Sequence, residues 1–130
     1  MEEGSVDYVI NVESSHCYGN IDNFFNGVKT LLKPTGVFLF TDFRGTEGMK
    51  ELNEKLKEHF TVVNSENISH NVMHALKLDT ERRTQMIEEK CPKIFVPLIR
   101  KFSGVKGSRV YEELEKEETL YYAWTLKRLE

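Results

Sequence analysis

The stretch Asn11-Val12-Glu13-Ser14-Ser15-His16-Cys17-Tyr18 sets two groups able to hold or move a proton within three residues of each other, Glu13 and His16. An imidazole is available in its neutral form at working pH, which makes His16 the candidate general base. The competing reading is a histidine that bonds a neighbour or caps the loop. Glu13 could hold a substrate hydroxyl or orient His16, or it could cap the next helix. Tyr18 could close over a substrate or pack against that helix. Farther along, Asp42 and Arg44 are candidates for substrate contact, against the alternative of a salt bridge or a turn bond. His70 and His74, four residues apart, could share a helix face. No third ligand stands near them, so no metal site is expected.

These residues matter only if the chain positions them. Val6–Val12 is short and β-branched, which reads as a strand buried on both faces. From Ile21 to Leu32, the residues Phe24, Phe25, Val28, Leu31 and Leu32 fall on one side of a helix, with Asn20 or Asp22 as its cap. Lys33-Pro34-Thr35-Gly36 stops it. Gly36–Phe43 reads as a second buried strand, Glu47–His59 as a helix with Met49, Leu52 and Leu56 inward, and Thr61–Ile68 as a third strand. Strand, helix, strand, helix, strand implies a parallel sheet with right-handed crossovers. Residues 71–118 read as helical and loop-rich, with Phe95, Leu98, Ile99 and Phe102 on one face, either core or the lining of a lid, and a connector at 103–108. Thr119–Leu126 is strand-forming and is expected to pair antiparallel with a neighbour.

The chain has 130 residues and a net charge of -3, with Lys and Arg mostly mixed among Glu, which argues against a nucleic acid or an anionic membrane as main partner. No apolar run approaches a membrane span. Cys17 and Cys91 have no paired spacing, so a reducing, cytoplasmic setting is expected.

The segment Asp7–Tyr18, a helix running into Leu31-Leu32-Lys33-Pro34-Thr35-Gly36, and then Phe38–Arg44 together resemble the fourth strand, the following helix and the fifth strand of class I methyltransferases that use S-adenosylmethionine. The Asn-Val-Glu-Ser-Ser-His-Cys-Tyr string is similar to the group of small-molecule and lipid O-methyltransferases, sterol methyltransferases and cyclopropane synthases. The resemblance implies an α/β fold: the C-terminal half of a Rossmann-like methyltransferase sheet, with a final antiparallel strand and a helical insertion before it. Residues 1–70 would carry the alternating strands, 71–118 a lid-like insertion and 119–130 the last strand of a partial methyltransferase domain. It also implies methyl transfer from S-adenosylmethionine to a small-molecule acceptor. Asn11, Val12 and Glu13 would contact the cofactor, His16 and Glu13 would act in catalysis, and Tyr18, Asp42 and Arg44 would lie near substrate.

The family's glycine-rich loop is not found: no Gly-x-Gly-x-x-Gly occurs, and Gly104 and Gly107 follow no strand. The expectation is therefore a chain that is inactive alone and needs an N-terminal half to grip the cofactor. The alternative is a non-catalytic, methyltransferase-like module used for dimerisation or regulation. Val6–Val12 would then be an open apolar edge, from which a homodimer or swapped assembly is expected. A small flavodoxin-like domain is disfavoured, because no phosphate-binding loop follows the first strand.

Overall fold

The computed structural model describes residues 1–102 and 109–129; the expected connector at 103–108 lies outside them. Its elements in order are β1 (Val6–Val12), α1 (Ile21–Leu31), β2 (Leu32–Gly45), α2 (Thr46–His59), β3 (Phe60–Asn67), α3 (Ser69–Lys90), α4 (Val96–Phe102), α5 (Arg109–Glu115) and β4 (Thr119–Arg128). Short 3-10 turns cover Ser15–Cys17 and Lys93–Phe95. The chain divides into two compact units. The first comprises Met1–Asn67 with the C-terminal stretch from Tyr121, and the second is Ile68–Leu120.

In the first unit the four strands form one sheet in the order β1-β2-β4-β3. β1 and β2 run parallel, while β4 enters beside β2 and pairs antiparallel with β3, from Asn67↔Tyr122 to Phe60↔Arg128. The expected antiparallel pairing of the last strand is thus observed. Thr41 Oγ1 donates to the Tyr122 carbonyl at 2.9 Å and Arg128 Nη1 to the Leu32 carbonyl at 3.0 Å, fixing β4 against β2 at both ends.

The even-numbered residues of β2 face the helices: Gly36, Phe38, Phe40 and Asp42 are all buried. Side chains in a strand alternate between faces, so one row builds the core. Phe25 of α1 stands edge-on to Phe40 and Phe60, with centroids 6.0 and 5.6 Å apart, and Trp124 stacks on Phe40 at 5.1 Å. The indole Nε1 of Trp124 donates to Asn53 of α2 at 2.9 Å, so its buried polar atom is satisfied. Asn20 caps α1, its side chain accepting from the Asn23 amide at 3.0 Å. His59, at the end of α2, bonds Asp22 through Nε2 at 2.9 Å and accepts from Lys29 at Nδ1 at 3.0 Å, which joins the two helices.

The other face of the sheet departs from expectation. β1 was read as buried on both faces, yet Tyr8, Ile10 and Val12 are 65%, 68% and 56% exposed, and Leu39 and Val63 share that open side. α1 and α2 both pack on the opposite face, and β1 is the sheet border. Buried on one side only, β1 is a half-covered edge strand. β2 is also longer than expected, because the Lys33–Gly36 turn is absorbed into it as a bulge. From Val6↔Leu32 to Tyr8↔Val37 the register advances two residues on β1 and five on β2.

In the second unit, α3 packs on α4 and α5. Asp79 takes bonds from Arg82 and Arg83 that hold its carboxyl down at about 2. Ile87, Tyr111 and Leu114 are buried, whereas Phe95 and Leu98, one of whose expected roles was core, are 52% and 57% exposed.

The bulge explains Gly36. A Cβ there would meet Leu32 Cδ2 at 2.9 Å, the Lys33 carbonyl at 3.0 Å and the Asp7 carbonyl at 3.2 Å. Two of the three are backbone atoms that cannot swing away. Gly36→Ala is expected to destabilise the chain by about 1–3 kcal/mol in urea unfolding, whereas Gly27→Ala, with open space around it, should cost nothing and benefit from helix propensity.

Candidate active site

The site grows from the end of the buried row on β2. After Phe38 and Phe40 the next inward position is Asp42, which is completely buried. A carboxylate at the end of an apolar row must be bonded on both oxygens or protonated. The Phe43 amide donates to Oδ1 at 2.8 Å, His16 Nδ1 lies 3.2 Å from the same oxygen, and Ser15 Oγ donates to Oδ2. Arg44 Nη1 stands 3.3 Å from Oδ2 and donates to the Phe43 carbonyl at 2.7 Å, while Nη2 donates to Ser15 Oγ at 2.9 Å. Burial pushes the Asp42 carboxyl up. The bonds from Ser15 and Phe43, the Arg44 charge and the His16 contact together outweigh it and leave the group below its ordinary value.

An ionised Asp42 can only accept. The His16 ring therefore carries its proton on Nδ1 when neutral, which leaves Nε2 as a free acceptor. The ring is one-third exposed and lies 4.7 Å from Phe43, whose own ring is 6.0 Å from Tyr121. Both strand ends point the same way, because β1 and β2 are parallel and the ladder continues through the Glu13 amide to the Thr41 carbonyl at 3.0 Å. The carboxyl edge of parallel strands is where α/β sheets hold ligands. A cavity of about 380 Å³ opens there, lined by Ser15, His16, Tyr18, Arg44 and Lys55 among others.

Glu13 follows β1 in a left-handed backbone conformation, φ 52°, which a non-glycine residue holds only when its surroundings dictate it. Its side chain does not cap α1. The Tyr121 hydroxyl donates to Glu13 Oε1 instead. Burial, with that bond and the Glu13 charge, holds the Tyr121 phenol above its usual value, against a smaller opposing bond with Thr41. Tyr121 was absent from the sequence-derived site. It lies 108 residues from Glu13, and only the insertion of β4 beside β2 brings it there. Tyr18 packs on Phe24 at 4.7 Å, and its hydroxyl bonds Asn11 at 2.9 Å and Ser14 at 2.8 Å. The structure therefore gathers Asn11, Val12, Glu13, His16, Tyr18, Asp42 and Arg44 at one edge of the first unit. His70 and His74 belong to α3 of the second unit, where both are exposed, His70 being 3.9 Å from Glu117. Among the described residues, no group of three or more His, Cys, Asp or Glu side chains is placed to hold a metal.

No family model matches the chain. It is 29% identical over 116 residues, 88% of its length, to a fatty-acid O-methyltransferase of Mycolicibacterium smegmatis, and covers 42% of that protein. Its fold superposes on a cyclopropane synthase of Mycobacterium tuberculosis with a TM-score of 0.75, at 14% identity over 98% of this chain and 57% of the other. The chain carries the fold of the C-terminal half of a Rossmann-like methyltransferase. A phosphoethanolamine N-methyltransferase of Haemonchus contortus, solved with phosphomonomethylethanolamine and S-adenosylhomocysteine, superposes with a TM-score of 0.76 at 20% identity over 99% of this chain and 34% of that one. The chain spans less than half the length of the curated relatives it matches.

Asp42 makes the site pH-sensitive. Its folded-state pKa lies below the ordinary 3.8, so the ionised group stabilises the fold above that value, and the contribution is lost as pH falls through the folded-state pKa. Asp42→Asn should cost on the order of 2 kcal/mol at pH 7. The gap between the two proteins should narrow toward pH 3 when both are unfolded by urea; a constant gap would show that Asp42 is not ionised in the fold.

Proposed function

We propose that this chain supplies the acceptor side of an enzyme that transfers a methyl group from S-adenosylmethionine to a small, lipid-like acceptor. An N-terminal half, such as the longer relatives carry, would complete the cofactor site. The observation that supports this reading most is the His16–Asp42 pair, 3.2 Å apart, at the carboxyl ends of two adjacent parallel strands. The names of the relatives, a fatty-acid O-methyltransferase among them, favour a lipid acceptor.

S-adenosylmethionine, when bound, supplies an electrophilic methyl on a cationic sulfur. The residues at the end of β1 fit one wall of such a site: Val12 is exposed there, and Glu13 offers a carboxylate to a cation. Asn11 and Val12 would flank the cofactor, with Glu13 held in place by Tyr121. His16 Nε2 would accept the proton from an acceptor hydroxyl or amine as that atom forms its bond to the methyl carbon, the methyl–sulfur bond breaking with its electron pair left on sulfur as the thioether of S-adenosylhomocysteine. Asp42 would stabilise the resulting imidazolium. Because Asp42 is enclosed, it acts through His16 and does not touch substrate. Arg44 is committed to Asp42, Ser15 and the Phe43 carbonyl, which gives it a similar supporting role. Tyr18, with its hydroxyl beside Asn11 and Ser14, would border the acceptor. The insertion expected over residues 71–118 would serve as a lid. The free thiols of Cys17 and Cys91 suit a reducing, cytoplasmic setting. Among the described residues, no helix is long and apolar enough to cross a membrane.

A second reading, a non-catalytic module that dimerises through the sheet, is favoured by the open row Tyr8, Ile10 and Val12 on the border strand. Under that reading the chain sediments as a dimer that Ile10→Lys dissociates, and His16 is dispensable.

The deciting comparison uses the chain joined to whatever coding sequence precedes it in its gene, with labelled S-adenosylmethionine and a series of fatty acids and lipid alcohols. Label transfer is expected, with His16→Asn lowering kcat by about 10²-fold or more while S-adenosylhomocysteine binding is unchanged. Full activity in His16→Asn would remove the base from this account, and no cofactor binding at all would leave the dimerisation module.

A further inference from the structure

The net charge of -3 hides an uneven distribution. Between Arg82 and Arg109 the sequence carries eight Lys or Arg and only two Glu. Such a basic block in an acidic chain is an electrostatic signal that a whole-chain sum cancels. The described part of this block also bears the most exposed large apolar side chains of the second unit apart from Leu78. Ile94 is 82%, Phe95 52% and Leu98 57% exposed, on the turn Lys93–Phe95 and the first turn of α4. Lys90 and Lys93 are exposed on either side of Cys91 and Pro92. Beside them, a groove of about 480 Å³ is lined by Met86, Ile87 and Ile99 together with Arg82, Arg83 and Lys90. Arg82 and Arg83 share the charge of Asp79, and Glu88 and Glu89 are exposed just before Lys90, which leaves Lys90 and Lys93 as the described cations next to the apolar turn in sequence.

From this arrangement we propose that the second unit docks on the surface of an anionic lipid bilayer, inserting Ile94, Phe95 and Leu98 while Lys90 and Lys93 meet the lipid phosphates. Three large apolar side chains in nearly consecutive positions are too exposed for a core. Cations next to exposed apolar side chains are the pattern that binds a membrane interface, where apolar insertion and attraction to anionic headgroups add. Neither contribution suffices alone: the apolar patch is small, and two lysines attract weakly at physiological salt. Binding should therefore require both. The expectation that an anionic membrane is no main partner rested on the whole-chain charge and on Lys and Arg mixed among Glu, whereas residues 90–109 carry no Glu or Asp. The proposal is independent of methyl transfer and holds whether or not the chain is catalytic.

The test is flotation of the whole chain with vesicles of phosphatidylcholine and of phosphatidylcholine with phosphatidylglycerol at 3:1. Association with the anionic vesicles only is expected. Lys90→Gln with Lys93→Gln should weaken it by about 25-fold, roughly fivefold for each lysine charge lost. Ile94→Ser with Leu98→Ser should weaken it by about tenfold or more. All four side chains are exposed, so the variants should keep the parent's circular dichroism. Ile10→Ser, on the open sheet face of the first unit, should bind as the parent does. No flotation, equal flotation with neutral vesicles, or loss of flotation in Ile10→Ser alone would each overturn the proposal.

Discussion

A single buried carboxylate organises the functional end of this chain. Asp42 ends the inward row Phe38, Phe40, Asp42, and a charge in that place persists only if each of its oxygens is bonded. Ser15, the Phe43 amide, His16 and Arg44 supply those bonds, and each is constrained in return. The loop after β1 is drawn onto the end of β2, the His16 ring is turned so that Nδ1 faces inward, and the Arg44 guanidinium is laid over Ser15. Positioning of this kind lets a weak base act, because the orientation is settled before substrate arrives. Asp42 continues the inward row of Phe38 and Phe40, and Phe40 packs with Phe25 and Trp124, so the core and the site depend on the same alternation along β2.

Much of this was legible in the sequence. The strand-helix alternation through residue 67, a cap at Asn20 or Asp22 and the antiparallel last strand were readable from the sequence; the structure has the alternation and the antiparallel strand, and of the two cap candidates it uses Asn20. The loop from Asn11 to Tyr18 stood out because polar residues cluster where a buried strand ends. What could not be read locally was pairing across distance. Tyr121 meets Glu13 only because β4 inserts between β2 and β3, and nothing in Thr119–Leu126 marks one tyrosine over its neighbour. The bonds of Asp42 were likewise beyond local reading, although its even-numbered place after Phe38 and Phe40 was the available signal. The open side of β1 was misread because an apolar strand looks alike whether one face or two are covered, and its exposure is decided by where the helices fall.

Among the described residues, that open side and the apolar tip of the second unit each expose several large apolar side chains close together in sequence or on one strand. Contiguous exposed apolar side chains are uncommon without a partner. The first lies on a border strand whose backbone is unpaired on one side, which suits another protein segment. The second has Lys90 and Lys93 next to it in sequence, which suits an anionic surface. The difference in surrounding charge separates the two faces.

The central claim is that Asp42, ionised and enclosed, sets His16 up as a base facing the crevice. The most direct measurement is a long-range nitrogen-15 NMR correlation of the His16 ring, followed upward in pH until the ring is neutral. The account predicts the proton on Nδ1 and an unprotonated Nε2. A neutral ring with its proton on Nε2 would contradict it, because Nδ1 could not then donate to Asp42 and the nitrogen facing the crevice could not accept a proton.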